Sequence, residues 1–468
     1  MNNKKLDSTE THHHLFISAG MLERKKSHQE NHYYLNYGLL NLATIMSNNG
    51  NNVKLYQGEQ YTPIELTSIL DDKKLLSSKI PIFLSIPSYF AVEWAIKFTQ
   101  IIKNISNQYK IIIGGRWVLS DKEWALSKFS NADLIIHGEA ENIILDIPSF
   151  IQDNRLIYLD NSKEKNSNAS VCLDYSLVEN FSSFTPSIEL SRGCGYGCAF
   201  CADKDVSLTN NKLPSDLILE ITNITDLYKC KQMNFYFQSS IFTANKKWAN
   251  SFLTLYEKNN LEISWRCETR ADINLDRELI STLSRCGLKV IDIGLESASL
   301  EQLKRMNKSN NPEKYLEKAS KLLKLCYEYD IWVKINIMFY VGETQQTVDE
   351  TKIFLTKHKK YIKGISAYPM IIYNTDIYAK EFLNEIILAG GSAINGKIEE
   401  NGITEINFSE TFSNETAKKE ALSISREYMS QKDYFDLKLF SYFPRDYTYK
   451  KFQNDYIYIS QEKLPFIK

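Results

Sequence analysis

The sequence predicts an α/β fold in three parts: an N-terminal doubly wound, Rossmann-like domain, a partial (β/α)6 barrel of the TIM type, and a mostly helical C-terminal cap. Short apolar runs alternate with helical patterns between residues 14 and 150. From Ile188 a strand-then-helix pattern repeats about six times, until the repeat breaks down at Ala389-Gly390-Gly391-Ser392. A chain of 468 residues is also too long for one ordinary core.

These patterns predict four segments, namely a Rossmann-like domain at residues 1–150, a linker at 151–183, the barrel at 184–390 and the cap at 391–468. The linker is predicted because residues 160–170 are polar and lack an apolar period. In the last segment, Glu415 to Gln431 has helical character with charges on one face. We expect that segment to lie over the barrel mouth.

Five apolar runs are the candidate strands of the first domain: Leu15–Ser18, Val53–Tyr56, Ile82–Ile86, Ile111–Ile113 and Leu134–Ile136. Between the first two runs, residues 37–46 place apolar side chains at helical spacing and are followed by Asn49-Gly50, a helix stop signal. Doubly wound sheets bind ligands beyond the carboxyl ends of their strands, where the connecting loops gather. The loops after these runs are therefore the candidate ligand site of this domain.

Three cysteines in one short loop are the main chemical feature of the chain. Cys194, Cys198 and Cys201 directly follow the first predicted barrel strand, Ser187–Leu190, where barrel enzymes place their active sites. Closed structural metal sites recruit four protein ligands, whereas a site that performs chemistry keeps one position open. Three thiols therefore predict a reactive metal site. The alternative is a structural zinc site completed by one of the other five cysteines or seven histidines.

The spacing Cys-x3-Cys-x2-Cys, with Phe200 before the last cysteine, resembles the signature of the radical S-adenosylmethionine (SAM) enzymes. This resemblance implies a [4Fe-4S] cluster held by the three thiolates, with SAM chelated to the fourth iron. It also implies that the cofactor carries the difficult chemistry, because an electron from the cluster cleaves SAM to a radical that abstracts hydrogen from carbon.

The same resemblance implies SAM contacts at the ends of the barrel strands. Residues expected to contact SAM are Phe200, Gln238, Ser239, Arg270, Glu296 and Gly342. Arg270 would pair with the SAM carboxylate through its fork of donors, and Glu296 would accept hydrogen bonds from the ribose hydroxyls. Two departures affect these assignments: Gln238-Ser239 stands where similar enzymes carry an aspartate, and the proline of the turn near Gly342 is lost.

The first domain resembles the cobalamin-binding domain that precedes many radical SAM barrels. The similarity rests on a Gly-Leu-Leu-x-Leu-Ala helix, a Gly-Gly loop and a strand ending in Gly-Glu-x-Glu. It implies cobalamin contacts at Ser85, Gly114, Gly115 and Glu139. The Asp-x-His-x-x-Gly element that supplies a histidine to cobalt in part of that family does not occur in the sequence. Two interpretations stay open: cobalamin bound without that histidine, or a domain that has lost the corrin.

Composition restricts the partners. With 56 Lys and Arg against 57 Asp and Glu, no global basic charge favours nucleic acid or membrane surfaces, so neither is an expected partner. The first residues lack the pattern of a secretory signal, and scattered cysteines fit a reducing compartment, which predicts a cytoplasmic location. Expected partners are a small-molecule or peptide substrate and an electron donor, either a reductase or a flavodoxin or ferredoxin.

Three functions are compatible with this sequence. The first is cobalamin-dependent radical methylation of an unactivated carbon in a secondary metabolite or peptide, as part of natural product biosynthesis. The second uses the SAM-derived radical without methyl transfer, for epimerisation, rearrangement or bond formation, with Cys267 as a candidate hydrogen donor and therefore a candidate catalytic residue. The third is a non-catalytic iron-sulfur sensor or scaffold. No motif specifies the substrate or the oligomeric state.

Overall fold

The computed structural model describes residues 13–22, 33–115, 119–152, 155–163, 171–201, 203–204, 206–373, 379–395 and 403–468. These residues form two compact units. The first unit contains residues 13–22, 38–163 and 174–181 within the described ranges, and the second contains 33–37, 171–173 and the residues from 182 onwards. No helix in these ranges combines the length and apolar composition required to cross a bilayer.

The first unit is built on one parallel sheet covered by helices. Its strands are β1 (His14–Ser18), β2 (Val53–Gln57), β3 (Ile82–Ser85), β4 (Ile111–Gly114), β5 (Leu134–Gly138) and β6 (Ile157–Asn161). Its helices are α1 (Tyr37–Asn48), α2 (Pro63–Asp72), α3 (Val92–Ile105) and α4 (Lys122–Lys128). The strand order is β2-β1-β3-β4-β5-β6 with every pairing parallel, so the predicted doubly wound fold is confirmed.

Local sequence explains why these elements form. The central strands β1, β3 and β4 are apolar on both faces, as expected for strands covered on both sides, and α3 buries Trp94, Phe98 and Ile102. Helix α2 begins with a capping box in which Thr62 and Glu65 exchange hydrogen bonds. The strand order reverses between β1 and β3, and such a reversal opens a crevice at the carboxyl ends of the two strands.

Strand β6 lies in the segment that the sequence predicted to be a linker. It pairs with β5 from Leu134↔Ile157 to Gly138↔Asn161, and residues 174–181 also belong to the first unit. Four of its five side chains are half-buried and Asp160 is exposed. Its apolar run, Ile157 to Leu159, is only three residues long and directly precedes the polar stretch that predicted the linker. The four segment boundaries given above stay predictions.

The second unit contains the partial barrel. Its strands are β7 (Ser187–Glu189), β8 (Asn234–Gln238), β9 (Ser264–Arg270), β10 (Leu288–Glu296), β11 (Trp332–Phe339) and β12 (Gly364–Pro369). The connecting helices are α5 (Pro214–Tyr228), α6 (Lys246–Lys258), α7 (Arg277–Arg285), α8 (Leu300–Arg305), α9 (Pro312–Glu328) and α10 (Gln345–Lys357). The strands pair in chain order and all in parallel, which confirms the predicted six-stranded barrel sheet.

Short hairpin-like pairs and helices follow the barrel. The short strands are β13 (Ile372–Tyr373), β14 (Ser392–Ala393), β15 (Ile403–Thr404) and β16 (Ile406–Asn407), pairing β13 with β15 and β14 with β16. The helices are α11 (Ala379–Leu388), α12 (Asn414–Tyr428), α13 (Gln431–Lys438) and α14 (Tyr449–Tyr456). Helix α12 packs along β12, and the Ser425 hydroxyl accepts a hydrogen bond from the Ala367 N–H at 3.2 Å. It thereby covers the edge of the sheet.

The prediction that the helix at Glu415 to Gln431 lies over the barrel mouth is wrong, because α12 packs along β12. Residues 408–412 of the C-terminal segment do reach the carboxyl end of β11, where the Ser409 hydroxyl donates to the Glu343 carbonyl at 2.6 Å.

The part of the C-terminal segment from residue 429 onwards lies at the opposite end of the barrel. Its aromatic cluster, which includes Phe443 and Phe452, packs against Val290 and Trp332 near the amino ends of β10 and β11. The Leu439 carbonyl accepts a hydrogen bond from Asn234, the first residue of β8. The amino ends of the strands carry apolar side chains that must be buried, so the part of the segment from residue 429 onwards closes the end of the barrel opposite the cysteine loop.

Phe452 is fully buried in this cluster, and we predict that Phe452→Ala lowers the free energy of unfolding by about 3–5 kcal/mol through lost apolar contacts and a residual cavity. Denaturant unfolding followed by tryptophan fluorescence measures the change. Tyr458→Ala is the matched control, because Tyr458 is 88% exposed. Equal effects of the two substitutions would contradict the described packing.

Candidate active site

The cysteine loop follows β7 at the carboxyl end of the barrel sheet. Cys198 is buried, and Cys194 and Cys201 are half-buried. Gly193 has a φ of 70°, and a Cβ built there would lie 2.1 Å from the Ser207 carbonyl oxygen. Any other residue at this position would therefore strain its own backbone, and its Cβ would collide with the backbone of Ser207. The loop conformation depends on that glycine.

Two hydrogen bonds attach this loop to the segment after α8. The Asn307 amide donates to the Gly197 carbonyl at 2.6 Å, and the Ala199 N–H donates to the Met306 carbonyl at 2.9 Å. Asn307 itself has a φ of 50°, a conformation that asparagine tolerates better than most residues. The chain after β10 therefore helps to position the thiols.

Arg270 at the end of β9 is the main side-chain contact of the loop. Its guanidinium donates to the Cys198 Sγ at 3.2 Å and to Asp272 at 2.9 Å, and it stacks 4.0 Å from the ring of Tyr196. It also donates to the Lys308 carbonyl at 2.5 Å. Arg270 thus lies in the site as predicted, but its donors are directed to protein groups, and its role toward the SAM carboxylate stays a prediction.

The thiols occupy a partly desolvated environment. Burial raises the pKa of Cys194 and of Cys201 above the ordinary value for a thiol. A thiol must lose its proton to bind a metal, so cluster binding here releases protons and favours higher pH. Within the described residues, no three His, Cys, Asp or Glu side chains converge as they would on one metal ion. A cluster differs from a single ion, because each thiolate binds a different iron.

Glu296 forms the wall of the site at the end of β10. It has a φ of 64° and follows a β-bulge, an uncommon conformation for a glutamate that clusters at functional sites. Its carboxylate pairs with the buried Lys308 ammonium at 3.1 Å, and that ammonium lies 5.6 Å from the ring centroid of Phe200. The Phe200 ring in turn contacts Tyr340, with centroids 6.2 Å apart.

The other predicted SAM residues also lie at carboxyl ends of barrel strands. Gln238 ends β8 and donates to the Ser187 hydroxyl at 3.3 Å. The Ser239 hydroxyl is buried and has no hydrogen-bond partner among the described residues. Gly342 follows β11 with a φ of 74°, and its N–H donates to the Phe408 carbonyl at 2.8 Å. The buried Ser239 hydroxyl is therefore available to bind a ligand.

The structure does not bring Cys267 into this site. Successive side chains of a strand point to opposite faces, and Arg270, which reaches the cysteine loop, lies three positions from Cys267. Cys267 is fully buried, and burial, followed by the neighbouring thiol of Cys326 on α9, raises its pKa well above the ordinary value. It faces the helical layer, so the prediction that it could donate a hydrogen atom at the barrel mouth is wrong.

Sequence reasoning missed several side chains of the site, above all Lys308, Tyr196 and Tyr340. Lys308 follows the short helix α8 and belongs to no motif that the sequence analysis identified. Tyr196 lies between the first two cysteines and carried no motif. Tyr340 directly follows β11 within a run of apolar residues, so nothing in the sequence distinguished it as a site residue.

In the first unit, the predicted cobalamin residues lie at the carboxyl edge of the sheet. Ser85 and Gly114 are register partners at the ends of β3 and β4, and Gly115 and Glu139 directly follow β4 and β5. A Cβ at Gly114 would meet no atom of the described residues within 4 Å, whereas one at Gly115 would lie 2.4 Å from the Ile86 carbonyl oxygen. The edge therefore combines open space at Gly114 with a tightly packed turn.

The second unit thus defines a barrel protein with a three-thiol loop at the carboxyl end of its first strand. The family model described as the Radical SAM superfamily matches residues 188–355 of this chain. Over these residues, which include the three-thiol loop and strands β8 to β11, the chain carries a radical SAM domain, and this family implies a [4Fe-4S] cluster and SAM as cofactors.

Known proteins with similar sequence or structure include radical SAM methyltransferases and cobalamin proteins. The bacteriochlorophyllide d C-8(2)-methyltransferase of Chlorobaculum tepidum is 24% identical over 289 residues, which cover 55% of this chain and 60% of that protein. The chain therefore spans three fifths of that relative's length.

Two solved structures share the fold over most of this chain. The radical SAM methyltransferase TsrM of Kitasatospora setae, with tryptophan and a SAM analogue bound, has a TM-score of 0.62 at 14% identity, over 82% of this chain and 79% of its own. The cobalamin-dependent radical SAM enzyme OxsB, with aqua-cobalamin and SAM bound, has a TM-score of 0.65 at 16% identity. That match covers 88% of this chain and 66% of the OxsB chain.

Loss of one thiol should abolish cluster binding. We predict that Cys198→Ala, after anaerobic reconstitution with iron and sulfide, loses the broad visible absorbance of a [4Fe-4S] cluster, because two thiolates do not hold it. Cys172→Ala is the control, since Cys172 is exposed and lies outside the loop. A Cys198→Ala protein that keeps the full iron content of the wild type would contradict the assignment.

The buried carboxyl of Glu343, beside Gly342, should make stability depend on pH. It accepts hydrogen bonds from Thr347 and from the Tyr340 N–H, and burial raises its pKa to about 7. A raised folded-state pKa means that the folded chain binds the proton more tightly, so stability is present at low pH and lost as pH rises through about 7.

Glu343→Gln should remove this dependence. Relative to wild type, we expect similar stability near pH 5 and a gain of up to about 3 kcal/mol near pH 8, measured by denaturant unfolding across that range. The exposed Glu317, replaced by Gln, serves as the control and should follow the wild-type profile. A variant that loses stability equally at both pH values would show that the carboxyl is not protonated in the folded chain.

Proposed function

We propose that this chain is a cobalamin-dependent radical SAM enzyme that methylates an unactivated carbon of a secondary metabolite or peptide. One observation carries the proposal: the three-thiol loop lies beside the strained Glu296 at the carboxyl end of a barrel sheet, in a chain that also contains a doubly wound unit with an open glycine edge. The comparisons support the class, because similar proteins include methyltransferases and cobalamin-dependent enzymes.

The residues present fit a cluster and SAM. Cys194, Cys198 and Cys201 would hold three irons, and the positive-φ glycine of the loop provides the curvature that a wrapped cluster requires. When bound, the cluster supplies the electron that cleaves SAM. Arg270 would stabilise negative charge at the Cys198 sulfur through its N–H donor, as hydrogen bonds to cluster ligands do.

The chain's own residues would bind and orient SAM. The free Ser239 hydroxyl can accept a hydrogen bond from an ammonium group. Glu296 can accept from ribose hydroxyls, and its fixed backbone conformation and ion pair with Lys308 hold the carboxylate in position before any ligand arrives. The ring of Phe200, backed by Tyr340, shields one side of this position from water.

The first unit offers residues that fit a corrin. Gly114 leaves room at the carboxyl edge of the sheet, and the Ser88 hydroxyl just after β3 is buried without a hydrogen-bond partner in the described part of the chain. Such a hydroxyl is costly unless a ligand or water pairs with it. Ser85, Gly114, Gly115 and Glu139 would line the group, which when bound supplies the methyl that is transferred.

Gly114→Val tests the cobalamin assignment with a variant that should fold, because a Cβ added there meets no atom of the described residues within 4 Å. We predict that wild-type protein keeps corrin absorbance after desalting and that Gly114→Val keeps about one tenth of it or less, since the branched side chain would occupy ligand space. Cluster absorbance should persist in both. Equal corrin retention would contradict the assignment.

Products of SAM decide between methyl transfer and the rival reaction. Anaerobic protein with cobalamin, reductant and substrate extract should form S-adenosylhomocysteine together with a methylated product. Deoxyadenosine formed without any methylated product would instead favour radical chemistry without methyl transfer. The cytoplasmic location and a flavodoxin, ferredoxin or reductase as electron donor belong to the same proposal.

A further inference from the structure

The interior of the barrel is unusually polar. Barrel interiors of the TIM type are normally filled with branched aliphatic side chains. Here the inner face of β9 and its neighbours carries Arg266, Glu268, Asp292 and Lys334, drawn from three adjacent strands. Removing a charge from water costs free energy unless the charge is paired, so each of these four side chains needs a partner.

The lower part of this set is closed by protein groups. Arg266 pairs with Asp292, donates to the Ser441 hydroxyl at 2.7 Å and lies 4.8 Å from the ring centroid of Tyr236. Both charged residues are almost fully buried. Because Ser441 belongs to the C-terminal segment that closes the amino end of the barrel, this pair is part of the barrel floor.

Above the floor, neither Glu268 nor Lys334 has an oppositely charged partner of its own among the described residues. Glu268 accepts a hydrogen bond from the Tyr236 hydroxyl, and no Lys or Arg of the described residues forms an ion pair with it. Lys334 donates to Asn336 at 3.0 Å, and its nearest carboxylate, Asp292 at 3.6 Å, is already engaged by Arg266.

The side chains of Glu268 and Lys334 are not completely enclosed by the protein. Glu268, Lys334 and Asn336 are half-buried, whereas the alternate positions of the same strands, such as Cys267 and Ile335, are buried against the helices. Burial, followed by the Arg266 charge, lowers the pKa of Lys334 to about 7. A negatively charged ligand group beside Lys334 would raise this pKa again and keep the ammonium protonated.

We propose that Glu268 and Lys334 bind the two charged groups of an α-amino acid substrate, with the ammonium at Glu268 and the carboxylate at Lys334. This inference rests on the proposed function and deepens it by naming the substrate class. Both residues pair with Asp292 across the sheet, one from each side, so their Cα atoms are about 10 Å apart and their side chains converge inward. That separation suits one small zwitterion.

Binding of free amino acids tests the inference. The SAM-loaded, cluster-containing full chain is titrated calorimetrically with each of the standard amino acids, and saturable binding of at least one is expected. Glu268→Gln keeps the acceptor for Tyr236 but loses the negative charge, and Lys334→Met keeps length without the ammonium. Each should weaken binding of that amino acid by about tenfold or more, as expected for the loss of a charged hydrogen bond.

Matched ligands separate a direct contact from a structural defect. Glu268→Gln should no longer distinguish the amino acid from its N-acetyl derivative, and Lys334→Met should no longer distinguish it from its carboxamide. Lys321→Met, an exposed change of the same type, should bind like wild type. Intact cluster absorbance in each variant verifies folding.

Two negative results have different meanings. A wild-type chain that forms a cluster and cleaves SAM but binds none of the amino acids would overturn this inference and leave the proposed function standing. A chain that cleaves no SAM under strong reductant would overturn the proposed function itself. Binding that both variants retain at wild-type affinity would also overturn the inference.

Discussion

The guanidinium of Arg270 is the interaction on which the candidate site depends. It connects the thiol of Cys198, the carboxylate of Asp272, the carbonyl of Lys308 and the ring of Tyr196, and so joins the cysteine loop to the ends of β9 and β10. A planar group with five donors can satisfy several partners at once, which an ammonium cannot do with the same geometry. The loop is therefore positioned by a buried side chain of the sheet as well as by its own backbone.

The barrel divides its polar interior into three levels. The Arg266–Asp292 pair and the C-terminal segment close the floor, the half-buried Glu268 and Lys334 line the middle, and the cysteine loop with Glu296 and Lys308 forms the carboxyl end. Parallel strands make this arrangement possible, because each contributes alternate residues to the inner face at successive heights. Substrate recognition and radical generation can then use different layers of one set of strands.

Sequence patterns predicted the elements better than the contacts. The strands and the cysteine loop were predictable, since buried parallel strands are continuous apolar runs and three clustered cysteines are distinctive. The alternation of side chains along a strand could also have excluded Cys267 from the site, because Cys267 and Arg270 are three positions apart on β9 and so face opposite sides of the sheet. Contacts such as Lys308 with Glu296, or the aromatic segment at the amino ends of the strands, depend on tertiary packing, and composition indicates burial without indicating which surface is covered.

The central claim is that the chain supplies three thiolates to a cluster and leaves its fourth iron for SAM. Mössbauer spectroscopy of iron-57-reconstituted wild-type protein, recorded with and without SAM, measures this directly. The account predicts that SAM changes the spectrum of one iron in the cluster and leaves the other three unchanged, as expected for one site without a thiolate. A spectrum in which SAM changes no iron would contradict it.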